Sequence, residues 1–144
     1  MVTVAEDIEL AADYLFIQQR IHPGLFEFTI DIDPALLSSP ILKLTLQPVL
    51  ENSILHGFMG YGRKGKLEII GCRIKGRAAV FIFDNGRGFA ADEGIPLKKE
   101  EGNHFALKNV HERLRLKFGQ DCGLEIESVP GTGTLVTIWL PDSR

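Results

Sequence analysis

Asp84-Asn85-Gly86-Arg87-Gly88 follows an alternating apolar stretch and is equipped for ligand chemistry. A carboxylate at a strand end can accept a hydrogen bond from an exocyclic amine. The two glycines permit a turn with φ > 0 and let a flat ligand approach the backbone. Asp-Asn-Gly is also a common turn, so the pentapeptide alone has a purely structural reading. A second group lies in Leu46-Gln47-Pro48-Val49-Leu50-Glu51-Asn52-Ser53-Ile54-Leu55-His56-Gly57. Asn52 and His56 stand one helical turn apart on the same face. A core-edge asparagine is costly without partners, and its carbonyl is a hard oxygen ligand suited to Mg²⁺. The competing readings are a helix-edge amide bonded to a loop and a histidine that stabilises a helix C-terminus. Paired carboxylates would suggest acid–base work, but only Glu51 is present here.

Gly131-Thr132-Gly133-Thr134 forms a third group, ahead of an alternating strand. A threonine hydroxyl there could bond a ligand or its water; a plain hairpin is the alternative. The fourth is Gly102-Asn103-His104-Phe105-Ala106-Leu107-Lys108-Asn109-Val110. A helix starting here offers free N–H groups and a positive dipole end to phosphates. No Walker P-loop and no G-x-G-x-x-G occurs, so any nucleotide must be held in another way.

These groups need elements to position them. Thr3-x-x-Glu6 reads as a capping box, and Ile8, Ala11, Ala12 and Leu15 recur at helical spacing to about Arg20. Phe26, Phe28, Ile30 and Ile32 alternate with polar residues, which predicts a half-buried strand. A second helix is expected over about Leu42 to Phe58, with Leu42, Leu46, Val49, Leu50 and Ser53 as its core stripe. Pro48 inside it predicts a kink, or a shortened helix starting nearby. Strands follow at about Leu67–Ile74 and Ala78–Phe83. From Phe89 to about Asn103 no periodicity exists, which suggests a lid or a disordered stretch. A third helix uses Leu107, Val110, Leu114 and Phe118 and stops at Gly119; strands are expected at Gly123–Val129 and Thr134–Leu140. Three helices and about five strands predict an α/β sandwich.

Composition sets the frame. The 144 residues suit one domain, with 44% apolar and 24% charged residues. A net charge of −3 gives no basic footprint for nucleic acid. No apolar run approaches the roughly 20 residues of a membrane helix, and the acidic start does not read as a signal peptide. Cys72 and Cys122 lie far apart and suit packed thiols in a reducing compartment better than a disulfide.

The four groups, in this order, resemble the GHKL ATP-binding fold of histidine kinases, and within it sensor kinases of the LytS/YesM type. Leu46–Asn52 with His56-Gly57 looks like the N box of that family, and Asp84–Gly88 like its G1 box. Leu107-Lys108-Asn109-Val110-His111-Glu112-Arg113-Leu114 looks like the end of the G2 box, and Gly131–Thr134 like the last glycine box. The resemblance implies a two-layer α/β sandwich with a mixed, mainly antiparallel sheet and helices on one face. Residues 1–24 resemble the helical linker toward a phosphoacceptor domain, and residues 25–144 the ATP-binding catalytic domain. It implies ATP and Mg²⁺ as cofactors: Asp84 on the adenine amino group, Asn52 on the metal, and Gly86 and Gly88 shaping the adenine pocket. Thr134 would support the adenine end, Glu51 and His56 would stand near metal and phosphates, and Phe105, Ala106, Leu107, Lys108 and Asn109 would border the nucleotide.

Two departures stand out. The G2 box is usually Gly-x-Gly-Leu, and here it reads His104-Phe105-Ala106-Leu107; the position before His56, often lysine, is Leu55. The implied activity is transfer of the ATP γ-phosphoryl group to a histidine on another domain. The implied whole is a membrane-anchored homodimer with this domain on the cytoplasmic side and a response regulator downstream. A GHKL-type ATPase and a nucleotide-binding regulatory module are the alternatives. The hydrolysing relatives resemble one another in a glutamate one turn before the metal asparagine, a position held here by Pro48.

Overall fold

A computed structural model describes residues 1–90 and 105–141. The first helix, α1 (Val4–Ile21), opens with the expected capping box: Glu6 N–H donates to Thr3 Oγ1 at 3.2 Å and Thr3 N–H to Glu6 Oε1 at 3.0 Å. It buries Val4, Asp7, Ala11 and Leu15. Just before it, β1 (Val2–Thr3) pairs antiparallel with β3 (Pro40–Ile41), a small two-stranded sheet that the sequence pattern did not reveal. Between them lie β2 (Phe26–Ile32) and a 3₁₀ turn, Pro34–Leu36, where Asp33-Pro34 had marked a break.

The expected helix from Leu42 to Phe58 is not continuous. Leu44 adopts φ 62°, which no right-handed helix accommodates. The α-helix α2 therefore runs only from Leu46 to Asn52, and Ser53–Phe58 continues it as a π-helical turn. Pro48 is third in α2, within the first turn, where a missing N–H costs nothing. Strands β4 (Gly65–Ile74) and β5 (Arg77–Asp84) are longer than expected, so that Asp84 closes β5 instead of following it. After α3 (Phe105–Phe118) come β6 (Gly123–Val129) and β7 (Gly133–Trp139). The stretch read as a lid lies, from residue 91 to 103, outside the described residues.

The main sheet has the order β2-β4-β5-β7-β6. Only β2 and β4 run parallel; the other pairs are antiparallel. β4, β5, β7 and β6 each turn one face to the helices: Leu67 and Ile69, Val80 and Ile82, Val136 and Ile138, Leu124 and Ile126. They form a single core with Val4, Leu15, Leu46, Leu50, Ile54, Leu107 and Leu114. The two-layer sandwich expected from the sequence is what the chain forms, and α1 belongs to its core. Both cysteines are free thiols.

Candidate functional site

The alternation of β5 fixes the direction of Asp84. Val80 and Ile82 face the helices, so Asp84 does too, and it is 2% exposed. Ser53 Oγ donates to its Oδ2 at 2.8 Å, and Gly86 N–H to its Oδ1 at 2.9 Å. Burial pushes the carboxyl above the usual carboxylate range; the bonds from Ser53, Gly86 and the Thr134 backbone pull it part of the way back. An ionised carboxylate offers about four lone-pair sites, so acceptor capacity is left for a further donor.

Asn52 ends α2 and is 8% exposed. Its Oδ1 is buried without a hydrogen-bond partner among the described residues. Buried side-chain oxygens are nearly always paired, so this atom is a vacant acceptor held in place by its helix. Asn52, His56, Gly57, Asp84, Gly88, Phe89 and Thr134 line one recess of about 10 Å³, room for one water-sized group. No cluster of three or more metal-ligating His, Cys, Asp or Glu exists among the described residues. A metal held here would therefore draw on Asn52 Oδ1 and on oxygens that a ligand brings, which suits Mg²⁺.

The glycines of this region bring backbones together. A Cβ on Gly86 would lie 2.6 Å from Gly57 Cα and 2.8 Å from Gly57 O, so the two chains touch through bare backbone. Arg87 N–H donates to Gly57 O at 3.0 Å and locks the approach. Gly88 combines φ 64° with a Cβ position 2.2 Å from Val129 O, and both forbid a side chain. The π-helical turn supplies Gly57 at this point, a common use of such turns at functional sites.

The other sequence-predicted residues are distributed as follows. Thr134 pairs with Asp84 across β5 and β7, and its Oγ1 lies 2.7 Å from Ser128 Oγ. His56 is half-buried on the recess wall. Glu51 is bonded along its own helix α2: Gln47 Nε2 donates to its Oε1 at 3.0 Å. Its charge adds to the burial that pushes the Tyr14 hydroxyl up to about 12. Phe105 opens α3, Ala106 is half-buried, and Leu107 is a fully buried core side chain. Lys108 pairs with Glu112 at 3.9 Å and Asn109 is exposed. Ala106, Leu107, Lys108 and Asn109 do not line the recess.

Three residues were missed. Ser53 was read as part of the apolar stripe, yet its hydroxyl reaches Asp84; a lone hydroxyl next to Asn52 in an otherwise apolar row was the available signal. Ser128 Oγ accepts from Phe89 N–H at 2.9 Å and tethers the chain leaving the Asp84 loop. Asn85 Oδ1 accepts from Lys66 N–H at 2.7 Å, which closes that loop onto β4. His111, in the G2-like segment, joins α3 to β6 by accepting from Leu124 N–H on Nδ1 at 2.9 Å; burial and Arg115 lower its pKa.

Comparisons with known proteins bear on family and fold. The sequence pattern described as histidine kinase-, DNA gyrase B-, and HSP90-like ATPase matches residues 38–144. Sensor histidine kinase YesM of Bacillus subtilis (strain 168) is 33% identical over 98% of this chain and 24% of its own length. Sensor protein LytS of Oceanobacillus iheyensis is 32% identical over 98% of this chain and 25% of its own. The chain thus spans about a quarter of the curated relatives it matches. Among solved structures, the blue-light activated histidine kinase of Erythrobacter litoralis EL346 superposes with a TM-score of 0.68 at 20% identity, over 95% of this chain and 42% of that one. The nucleotide-free catalytic domain of histidine kinase ThkA gives 0.66 at 16% identity, over 97% and 94%. These two likenesses establish the fold.

Proposed function

The chain belongs to the histidine kinase-, DNA gyrase B-, and HSP90-like ATPase family, and from that membership we propose that it works as the ATP-binding catalytic domain of a sensor histidine kinase. The observation that carries the reading is one recess lined by both a carboxylate with acceptor capacity to spare, Asp84, and an asparagine with an orphaned buried oxygen, Asn52. A nucleotide needs both, one for its base and one for the metal on its phosphates.

Asp84 would accept a hydrogen bond from the adenine amino group. Guanine carries a carbonyl at that position, which would face the carboxylate without a proton between them, so ATP is favoured over GTP. Thr134 and the Gly86–Gly88 turn would border the base, and His56 the phosphates. Asn52 Oδ1 would hold Mg²⁺ together with phosphate oxygens. Bound there, the ion supplies charge neutralisation for phosphoryl transfer. Pro48, one turn before Asn52, has no group that could activate water. Hydrolysis should therefore be slow, and the phosphoryl group should await an external acceptor. That acceptor would be a histidine on a separate helical domain, reached through α1 as the linker (residues 1–24). The whole protein would act as a membrane-anchored homodimer that passes the phosphoryl group to a response regulator.

The test is transfer between separate pieces. With radiolabelled ATP and Mg²⁺ the chain should not label itself appreciably. A helical fragment bearing the histidine of the full-length protein should become labelled at a rate that rises with its concentration. Stoichiometric acid-labile phosphate on the isolated chain would overturn the split mechanism.

A further inference from the structure

Asp7 lies in the first turn of α1 and is 1% exposed. Its Oδ1 accepts from Leu44 N–H at 2.7 Å and its Oδ2 from Leu46 N–H at 3.1 Å, across 37 and 39 residues of sequence. The Thr45 backbone adds a third interaction. Leu46 N–H is the first free N–H of α2, the helix that ends in Asn52, and Leu44 and Thr45 form the turn that leads into it. α2 has no cap of its own: Thr45 is already helical at φ −76°, ψ −41°, and its hydroxyl donates backwards to Leu42 O at 2.6 Å. A negative charge at a helix N-terminus is favourable, and here a neighbouring helix supplies it.

Two features make this more than a cap. Leu44, at φ 62°, is held in a left-handed conformation that a residue with a branched side chain seldom adopts. The bond from its N–H to Asp7 helps hold that turn. Arg113 on α3 reaches the same segment, donating from Nη2 to Lys43 O at 3.4 Å, and its charge acts on Asp7. The start of α2 is thus gripped from α1 by Asp7 and from α3 by Arg113. From Leu46 to Asn52 is a rigid helix of seven residues, a rise of about 9 Å.

We propose that Asp7 is a positioning residue: it seats the N-terminus of α2 and so sets where Asn52 Oδ1 lies, which makes metal-dependent nucleotide binding sensitive to how α1 is docked. This rests on the role proposed for Asn52. A cap that only stabilised the fold would affect every ligand alike. A positioning residue affects the metal-bound nucleotide more than the base, because Asp84 is carried by β5 and keeps the bond from Gly86 N–H even if Ser53 shifts, whereas Asn52 moves with α2.

The experiment compares Mg²⁺·ATP with metal-free adenosine by titration calorimetry, adenosine in competition format, for the wild type, Asp7→Asn, Asp7→Glu and Asn52→Ala. Asp7→Asn should weaken Mg²⁺·ATP by about five-fold or more, the equivalent of a lost helix cap, and weaken adenosine markedly less. Asp7→Glu keeps the charge but pushes the α2 terminus outward; it should give the same selective loss and serves if Asp7→Asn does not fold. Thermal melts report folding. Equal losses for both ligands, or no loss in a folded variant, overturn the positioning role while Asn52→Ala still discriminates between the ligands. If Asn52→Ala does not discriminate, the reading of Asn52 falls and the role of Asp7 with it.

Discussion

Ser53 Oγ donates to Asp84 Oδ2 at 2.8 Å, joining the π-helical turn after α2 to the end of β5 across 31 residues of sequence. This bond fixes one edge of the carboxylate, while Gly86 N–H fixes the other from the following loop. The base-binding group is therefore oriented before any ligand arrives, and its orientation depends on the same helical segment that carries Asn52. Pre-set geometry of this kind reduces the ordering cost of binding.

Asp84→Asn should weaken ATP binding by about 1–3 kcal/mol, because it removes a charged acceptor for a buried amine. Ser53→Ala should cost less, about 0.5–1.5 kcal/mol, since it frees the carboxylate without removing it. Titration calorimetry measures both. Wild-type affinity in Asp84→Asn would remove Asp84 from the adenine site.

The same carboxylate carries a stability cost with a definite pH sign. Burial holds its pKa above the ordinary 3.8 in the folded chain, so the folded chain binds the proton more tightly than the unfolded one. Its contribution to stability is full below 3.8 and is lost as pH rises through the folded-state value. Asp84→Asn does not titrate. Urea melts of the ligand-free proteins should show the variant gaining on the wild type as pH rises through that window. A difference that stays flat with pH would mean that the donors around the carboxylate outweigh its burial.

How much of this could be read from sequence follows from the range of each signal. Helix α1, the alternation of β2 and the five-stranded sheet were legible because capping and periodicity are local. Asp84 and Asn52 stood out because a strand-end carboxylate and a core-edge amide are chemically conspicuous. Leu44 was not legible: its left-handed turn is held by Asp7 from α1, a tertiary contact that overrides helix periodicity between Leu42 and Leu46. Ser53 was hidden for a similar reason, since its partner lies on another element. The glycines were read as space for a ligand, whereas Gly86 and Gly88 also answer to the backbones of Gly57 and Val129, which no local pattern specifies.

That contact gives a graded prediction. A Cβ at Gly86 would sit 2.6 to 2.8 Å from the backbone of Gly57, and backbone cannot step aside as a side chain does. Gly86→Ala should destabilise the chain by about 1–3 kcal/mol, the usual range for overpacking. A Cβ at Gly57 would meet Asp84 Oδ1 at 3.3 Å and Gly86 Cα at 3.6 Å, which a shift of a few tenths of an ångström relieves. Gly57→Ala should therefore fold nearly as well as the wild type but bind ATP more weakly, because the atom that must yield is the adenine acceptor. Paired denaturation curves and ATP titrations test this; equal destabilisation by the two substitutions would contradict it.

Asn52→Ala separates metal binding from folding. Its Oδ1 is a buried acceptor without a partner, so removing it relieves an unsatisfied group as well as deleting contacts. The free protein should consequently keep its stability to within about 1 kcal/mol, unlike most substitutions at a site this buried. Mg²⁺·ATP should bind about ten-fold or more weakly, equivalent to about 1.4 kcal/mol, while adenosine, which brings no phosphate or metal, should bind as before. Substituting Mn²⁺, another oxygen-seeking cation, should leave that contrast intact. If Asn52→Ala lowered the melting temperature and both affinities together, the oxygen would be supporting the fold, and the metal would have to be held elsewhere.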